Sequence, residues 1–329
     1  MAPEQSSGSP NSVRVATGKW GAPHFPKDMK TTEVQTHENS IRLPALICYV
    51  GRRGGGKSSC FYHLMHQLKK DGLVDRLFVI SPTAFSPANE AMFRDLGVDY
   101  EKDLFEETTN ASLMRVKQEV ETEGAQWKKD EDDQRKYQRL MRLVRGRTPI
   151  DKIDAELLTT AEMEGWLDEP PKTKYGHKPV LHCLIDDAQS SPLYVPSSTS
   201  ALGNLTCRHR HIGGIGLTMH MCLQNYCCQG GGVPKYVRTN CTVLVLFKIH
   251  DQKTIQHILD EVGADVSPSE FLKAYDEAVS QPYRPLIWEA GGKKHIFRAG
   301  WNTFLPSSAD PRRAMGKTGK AGALTYKPS

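Results

Sequence analysis

The apolar run Leu46-Ile47-Cys48-Tyr49-Val50 is followed without a gap by Gly51-Arg52-Arg53-Gly54-Gly55-Gly56-Lys57-Ser58. The second stretch fits G-x-x-x-x-G-K-[ST], a pattern whose chemistry requires these residue types. Glycines let backbone N–H groups close around a β-phosphate, the lysine reaches the β- and γ-phosphates, and the final hydroxyl coordinates magnesium. A flexible Gly-rich turn would share the composition but not the context. Here a strand-like run precedes the loop, and Cys60, Leu64, Met65 and Leu68 behind it recur at helical spacing. The expected nucleotide-binding set is Gly51, Arg52, Arg53, Gly54, Gly55, Gly56, Lys57, Ser58 and Ser59, with ATP and Mg2+ as the ligands.

Working outward, the pattern becomes strand, loop, helix and then a second apolar run, Leu77-Phe78-Val79-Ile80, closed by Ser81-Pro82-Thr83. That order predicts a βαβ unit and an α/β fold with a buried parallel sheet. Helical spacing follows around Asn89 to Leu96. Further strands are expected at Val180 to Ile185, ending in Asp186-Asp187; at Gly216 to Leu223, ending in Gln224; and at Thr242 to Ile249, apolar enough to be buried on both faces. Asp251 to Val262 and Ser267 to Val279 carry helix spacing, the latter with Ser267 and Glu270 as a capping box. Leu286-Ile287-Trp288, the turn Ala290-Gly291-Gly292 and His295 to Arg298 predict an antiparallel hairpin at one edge of the sheet.

Three regions stand apart. Residues 1–41 are polar, rich in Ser, Pro, Thr and Lys, and read as a mobile arm. Residues 102–174 are dense in both signs of charge, with Leu140, Leu143 and Val144 at helical spacing, and predict two or three surface helices inserted into the folded region 42–305. Residues 306–329 carry Arg312, Arg313, Lys317, Lys320 and Lys327 against one acid, Asp310, and read as a disordered basic tail.

At 329 residues and 38% apolar content the chain can build one large core. No run approaches the roughly 18 apolar residues that span a bilayer, and no signal-peptide pattern opens the chain. A protein that stays on the side of the membrane where it is made is expected. Eight cysteines without the spacing of a disulfide framework fit a reducing compartment. A net charge of +5 permits contact with nucleic acid without arguing for it.

The chemistry gathers around the second motif. Asp186, at the carboxyl end of a strand, is the expected magnesium ligand together with Ser58, and Asp187 the base that polarises an attacking water. Gln224 ends the strand expected between the two motif strands and is placed to sense the γ-phosphate or the water, with Asn225 as the alternative. Arg208-His209-Arg210-His211 sits where a helix hands over to that strand. A cation there can enter the site of a neighbouring subunit, as an arginine finger does. Arg238 is a second candidate, and the residues alone do not decide between them. His209, His211, His220, Cys222, Cys227 and Cys228 match no standard zinc spacing.

From about Leu43 to Phe297 the order of parts resembles the FtsK/HerA-like branch of P-loop ATPases, with a RecA/ASCE-like sheet, and within it the poxvirus-type genome-packaging ATPases. The features that carry the resemblance are Gly51 to Ser58, Ile185-Asp186-Asp187, the Arg208-His209 step, Gln224, and Pro234 to Asn240 ahead of a buried strand. FtsK and HerA members usually carry glutamate where this chain has Asp187, whereas Asp-Asp is familiar in the viral branch. The resemblance implies a homo-oligomeric ring that drives double-stranded DNA into a capsid with ATP, inside a host cell, with capsid vertex proteins as possible partners and no membrane. Lys235, Arg238 and the basic run of the insertion would then be the phosphate contacts. A small-molecule kinase and a non-catalytic ATP-binding assembly factor are the rival classes. Water-directed groups at Asp187 and Gln224 weigh against the first, and the intact Lys57, Ser58, Asp186 and Asp187 against the second.

Overall fold

Alternating apolar strands and amphipathic helices build one nine-stranded sheet among the described residues. The computed structural model describes residues 33–34, 36–37, 40–189, 191–194, 200–226, 233–262, 266–290 and 296–305. Most of the polar arm, the basic tail, and Cys227 and Cys228 lie outside them. β1 (Leu46–Val50) is central, paired in parallel with β5 (Thr218–Leu223) on one side and β6 (Val243–Leu246) on the other. Beyond β5 come β4 (Leu181–Ile185), β2 (Arg76–Ile80) and the short β3 (Leu104–Phe105), all parallel. Beyond β6 the sheet turns antiparallel through β7 (Leu286–Glu289), β8 (Ile296–Ala299) and β9 (Thr303–Leu305). The expected hairpin therefore extends the sheet at one edge, with β9 as an additional strand.

β1, β4 and β5 are buried along their whole length, which is why they read as continuous apolar runs. Side chains alternate across the sheet. Leu46, Cys48 and Val50 face one layer with Ile185 and Met221, while Ile47 and Tyr49 face the other with Val79 and Val245. The second layer is covered by α1 (Lys57–Lys70), through Phe61, Leu64, Met65 and Leu68, and by α2 (Pro87–Leu96), through Phe93 and Leu96. The first layer is covered by α5 (Ala201–Arg208), α7 (Gln252–Val262) and α8 (Pro268–Ala278), among others. Ser267 caps α8, its side chain accepting from Glu270 N at 3.3 Å.

The charged stretch 102–174 is not wholly an insertion. Its first strand, β3, is paired in the sheet, and α3 (Asn110–Arg145) starts as a core helix, burying Leu113, Val116 and Val120 in the first layer. The high charge of α3 hides this face, because the apolar residues are few and spread over 36 positions. Arg76 at the start of β2 ties the helix down, meeting Asp103 at 2.6 Å and Glu119 and Glu123 at 2.9 Å. Gly124 lies against the turn at Gly213, whose φ is 60°; a Cβ on Gly124 would overlap the Gly213 carbonyl. Beyond that contact α3 continues as an arm. Its Leu140 packs with Ile153, with Leu157 and Ala161 of α4 (Ala155–Met163), and with Trp166 in a small separate core.

Two histidines inside the sheet form a hydrogen-bonded relay. His182 Nε2 donates to Leu73 O (2.9 Å), His182 Nδ1 meets His220 Nε2 (3.0 Å), and His220 Nδ1 meets the Tyr49 hydroxyl (3.1 Å). With both rings neutral, every partner is satisfied in one direction. Burial pushes His182 down to about 4 and His220 well below its ordinary value, and His209 is likewise pushed down to about 4 by burial. The unfolded chain takes up these protons below pH about 6.5 while the folded chain does not, so stability is full above that pH and falls as pH drops toward 4. The expected loss is roughly 3 kcal/mol each for His182 and His209 across that window. Chemical denaturation at pH 7.5 and pH 5 measures it; equal midpoints would mean that these rings are not held neutral.

Candidate nucleotide-binding site

The loop after β1 is shaped by contacts that exclude side chains. Gly51 N donates to Leu223 O (3.0 Å), and a Cβ on Gly51 would stand 2.7 Å from Phe247 Cβ. Gly54 (φ 71°) and Gly56 (φ 100°) take left-handed conformations, and Gly56 caps the start of α1. The unpaired N–H groups of that helix start therefore face the loop, a geometry suited to an anion. Arg52, Arg53 and Gly54 are exposed, Gly55 N donates to Arg52 O (3.0 Å), and Ser59 is exposed on α1. Lys57 is buried, with its Nζ donating to Gly51 O (2.8 Å) and Arg52 O (3.1 Å). Its charge is thus held across the mouth of the loop.

Ser58 Oγ reaches Asp186 Oδ2 at 3.4 Å. Asp186 is buried at the end of β4, where burial first, and then the neighbouring Asp187, raise its carboxyl above the ordinary carboxylate range. The Asp187 N–H, at 2.9 Å, and Lys57 act in the opposite sense. A hydroxyl beside a desolvated carboxylate is a donor set that suits a hard divalent cation, so Ser58 and Asp186 fit the magnesium expected there. Asp187 is exposed and held at φ 51°, a sparsely populated conformation for a residue with a side chain. Its Oδ2 accepts from Thr83 Oγ1 (3.1 Å), beyond the end of β2.

Gln224 and Asn225 are the first residues after β5, with Gln224 exposed. Gln189 braces them: its Oε1 accepts from Gln224 N (2.6 Å) and Asn225 N (3.1 Å), and its Nε2 donates to Asn225 O (2.6 Å). β5 lies between β1 and β4, so Lys57, Ser58, Asp186, Asp187 and Gln224 meet at the carboxyl ends of three adjacent parallel strands. This is a mostly parallel α/β sheet with a phosphate-loop motif at the carboxyl ends of its central strands. Thr83, Gln189 and Phe247 join the P-loop site without having been singled out from the sequence. The first two follow the ends of β2 and β4, where ligands gather; Phe247 is visible only once β6 is placed beside β1.

The arginines divide. Arg208 closes α5 and Arg210 follows it; both are exposed on either side of His209. His209 is buried, its Nδ1 donating to Leu217 O (3.0 Å) and its O accepting from Leu217 N (2.7 Å), so the step is anchored to the start of β5. Gln224 lies at the other end of that six-residue strand, about 20 Å away. Neither arginine can therefore serve the P-loop of its own chain.

Arg238 corrects an expectation. As the second candidate for the trans cation it is already engaged: it pairs with Glu261 at 2.7 Å, donates to Val233 O and lies over the Tyr226 ring at 5.3 Å. At 14% side-chain exposure, leaving these contacts for another subunit's phosphate would break a partly buried ion pair and leave Glu261 held by the Tyr226 hydroxyl, at 2.7 Å, in place of a cation. The six described cysteines, Cys48, Cys60, Cys183, Cys207, Cys222 and Cys241, are free thiols. No helix of the described residues is long and apolar enough to cross a membrane.

The sequence matches no protein-family model and no curated protein. Among solved structures, the chain is similar to the DNA-packaging ATPase B204 from Sulfolobus turreted icosahedral virus, with 12% identity and a TM-score of 0.45 over 77% of this chain and 96% of that one. The genome packaging NTPase B204 from Sulfolobus turreted icosahedral virus 2, in complex with AMPPCP, gives 14% identity and a TM-score of 0.43 over 77% and 95%. The pCW3 conjugation coupling protein TcpA, in its monomer form with ATPγS, gives 16% and 0.37 over 80% and 64%.

Proposed function

We propose that this chain is an ATPase that works as a ring of identical subunits and moves double-stranded DNA, in the manner of a genome-packaging motor. The observation that carries the ATPase reading is the Ser58–Asp186 contact at 3.4 Å, which joins the P-loop to a buried carboxylate beside a second, exposed one. Lys57 supplies the fixed countercharge for the β- and γ-phosphates. Magnesium held by Ser58 and Asp186 would neutralise phosphate oxygens. Asp187, steadied by Thr83, accepts the proton of the attacking water, and Gln224 orients that water or reads the γ-phosphate. Arg208 or Arg210 completes the site of a neighbour.

The DNA reading is supported by the resemblance in sequence and by exposed cations. Arg135, Arg139, Arg142 and Arg145 are exposed along one face of the arm at spacings of four, three and three residues, and Lys235 is exposed elsewhere. The ion pairs of Arg135 with Asp132 and Arg139 with Asp154 are exposed and weak enough to yield to phosphate. A motor must grip the backbone without reading bases, so binding should be salt-sensitive and indifferent to sequence. Linear duplex DNA is therefore expected to stimulate steady-state phosphate release at low salt, and the stimulation to fade at moderate salt. A flat response in an oligomer of measured mass would remove the translocation reading and leave a P-loop NTPase of other purpose, the kinase among them.

A further inference from the structure

We propose that Tyr283 is the stacking platform for the base of the bound nucleoside triphosphate, an inference that rests on the NTPase reading above and adds a subsite to it. The terminal-phosphate groups, Asp186, Asp187 and Gln224, lie on the β4 and β5 side of β1. A nucleotide whose β-phosphate fills the loop and whose γ-phosphate faces those groups must lead its ribose and base toward the opposite flank, where β6 and β7 lie. There, Leu286 at the start of β7 pairs with Leu246 at the end of β6, so the turn before β7 stands at the same end of the sheet as the P-loop. Tyr283 is in that turn.

Three features set this residue apart. Tyr283 is 73% exposed, an unusual position for an aromatic ring beside a Gly-rich loop. It stands against the start of α1: a Cβ on Gly56 would be 3.5 Å from both Tyr283 Cβ and Cδ1, and 3.3 Å from Phe247 Cε1. Its φ is 61°, a strained conformation for a bulky residue. Arg284 maintains that strain, donating from Nε to Ala278 O (2.8 Å) and from Nη2 to Glu277 O (2.6 Å) and Ser280 Oγ (3.1 Å), which fastens the turn to the end of α8. The fold thus holds an aromatic face open to solvent next to the loop, while buried Phe247 forms the floor beneath it. Every base offers a π-face to such a ring, so the contact contributes affinity for a nucleoside triphosphate over a bare polyphosphate.

The test compares a non-hydrolysable ATP analogue with inorganic tripolyphosphate, both with magnesium, by calorimetry on the full-length chain. Tyr283→Asn removes the ring and tolerates the left-handed backbone; Tyr283→Phe keeps the ring. Tyr283→Asn is expected to weaken the analogue about 10-fold or more, the scale of one lost base–aromatic stack, and to leave tripolyphosphate within about twofold. Tyr283→Phe should bind both as wild type does, and the KM for ATP should rise in Tyr283→Asn while kcat holds. Equal weakening of both ligands would make the ring a packing element of the loop and overturn the proposal, as would unchanged binding of the analogue. Wild-type protein that binds neither ligand overturns the NTPase reading itself, so the two failures are distinguishable.

Discussion

Lys57→Ala is expected to abolish ATP hydrolysis and to weaken ATP binding greatly, whereas Asp187→Asn should bind ATP and lose turnover by roughly 100-fold or more, the scale of a missing general base. The contrast follows from where the two side chains are held. Lys57 is buried and its Nζ spans the carbonyls of Gly51 and Arg52, so no other cation of the loop replaces it at the phosphates. Asp187 is outside that cradle, exposed, and bonded to Thr83. Asparagine tolerates a φ of 51° better than most residues and can still accept from Thr83, so the substitution removes charge and basicity without disturbing the turn. Equilibrium binding of a labelled nucleotide and steady-state phosphate release separate the two effects. Equal loss of binding in both variants would dissolve the division of roles.

Loss of Arg208 or Arg210 is expected to lower hydrolysis by about 1,000-fold or more in whichever of the two enters the neighbouring site, the scale of an arginine finger. Mixing should reveal it. Subunits that lack the arginine keep an intact P-loop, and Lys57→Ala subunits keep the arginine, so a mixture of two inactive proteins should recover activity. No recovery, together with full activity of each homogeneous arginine variant, would set the trans arrangement aside. Arg238→Ala should behave differently, lowering the melting temperature by removing the cation from a partly buried ion pair with Glu261.

How far this could be read in advance depended on whether a feature was local. The strand, loop and helix around Gly51 to Ser58 are legible because each step is written in consecutive residues, and the same holds for the apolar strand ending at Asp186-Asp187 and for the Ser267 cap. The expected placement of Gln224 between the motif strands matches the sheet, although the order of strands along the chain does not dictate it. What escaped was non-local. β3 spans two residues and gives no pattern, and the core face of α3 is diluted by its charges. The pairing of Arg238 is not legible in the sequence, because Glu261 is 23 residues away, on a different helix. Gln189, Thr83, Phe247 and Tyr283 come from four separate segments that only the sheet brings to one end.

The contact between Gly124 and Gly213 acts as a key in a shaft. Because no side chain fits at Gly124, α3 cannot slide past the turn that follows the Arg208 step, and its angular setting on the sheet is fixed at that point. Everything distal inherits this setting. One residue added between Gly124 and Leu140 would advance the arm by 1.5 Å and swing it by about 100°, carrying Leu140 off α4 and the arginine face to another quarter of the molecule. A tolerated change of length must come in whole turns, about seven residues for two of them. Among relatives of this chain the arm should thus lengthen or shorten in quanta, while the segment ahead of Gly124 keeps a constant count.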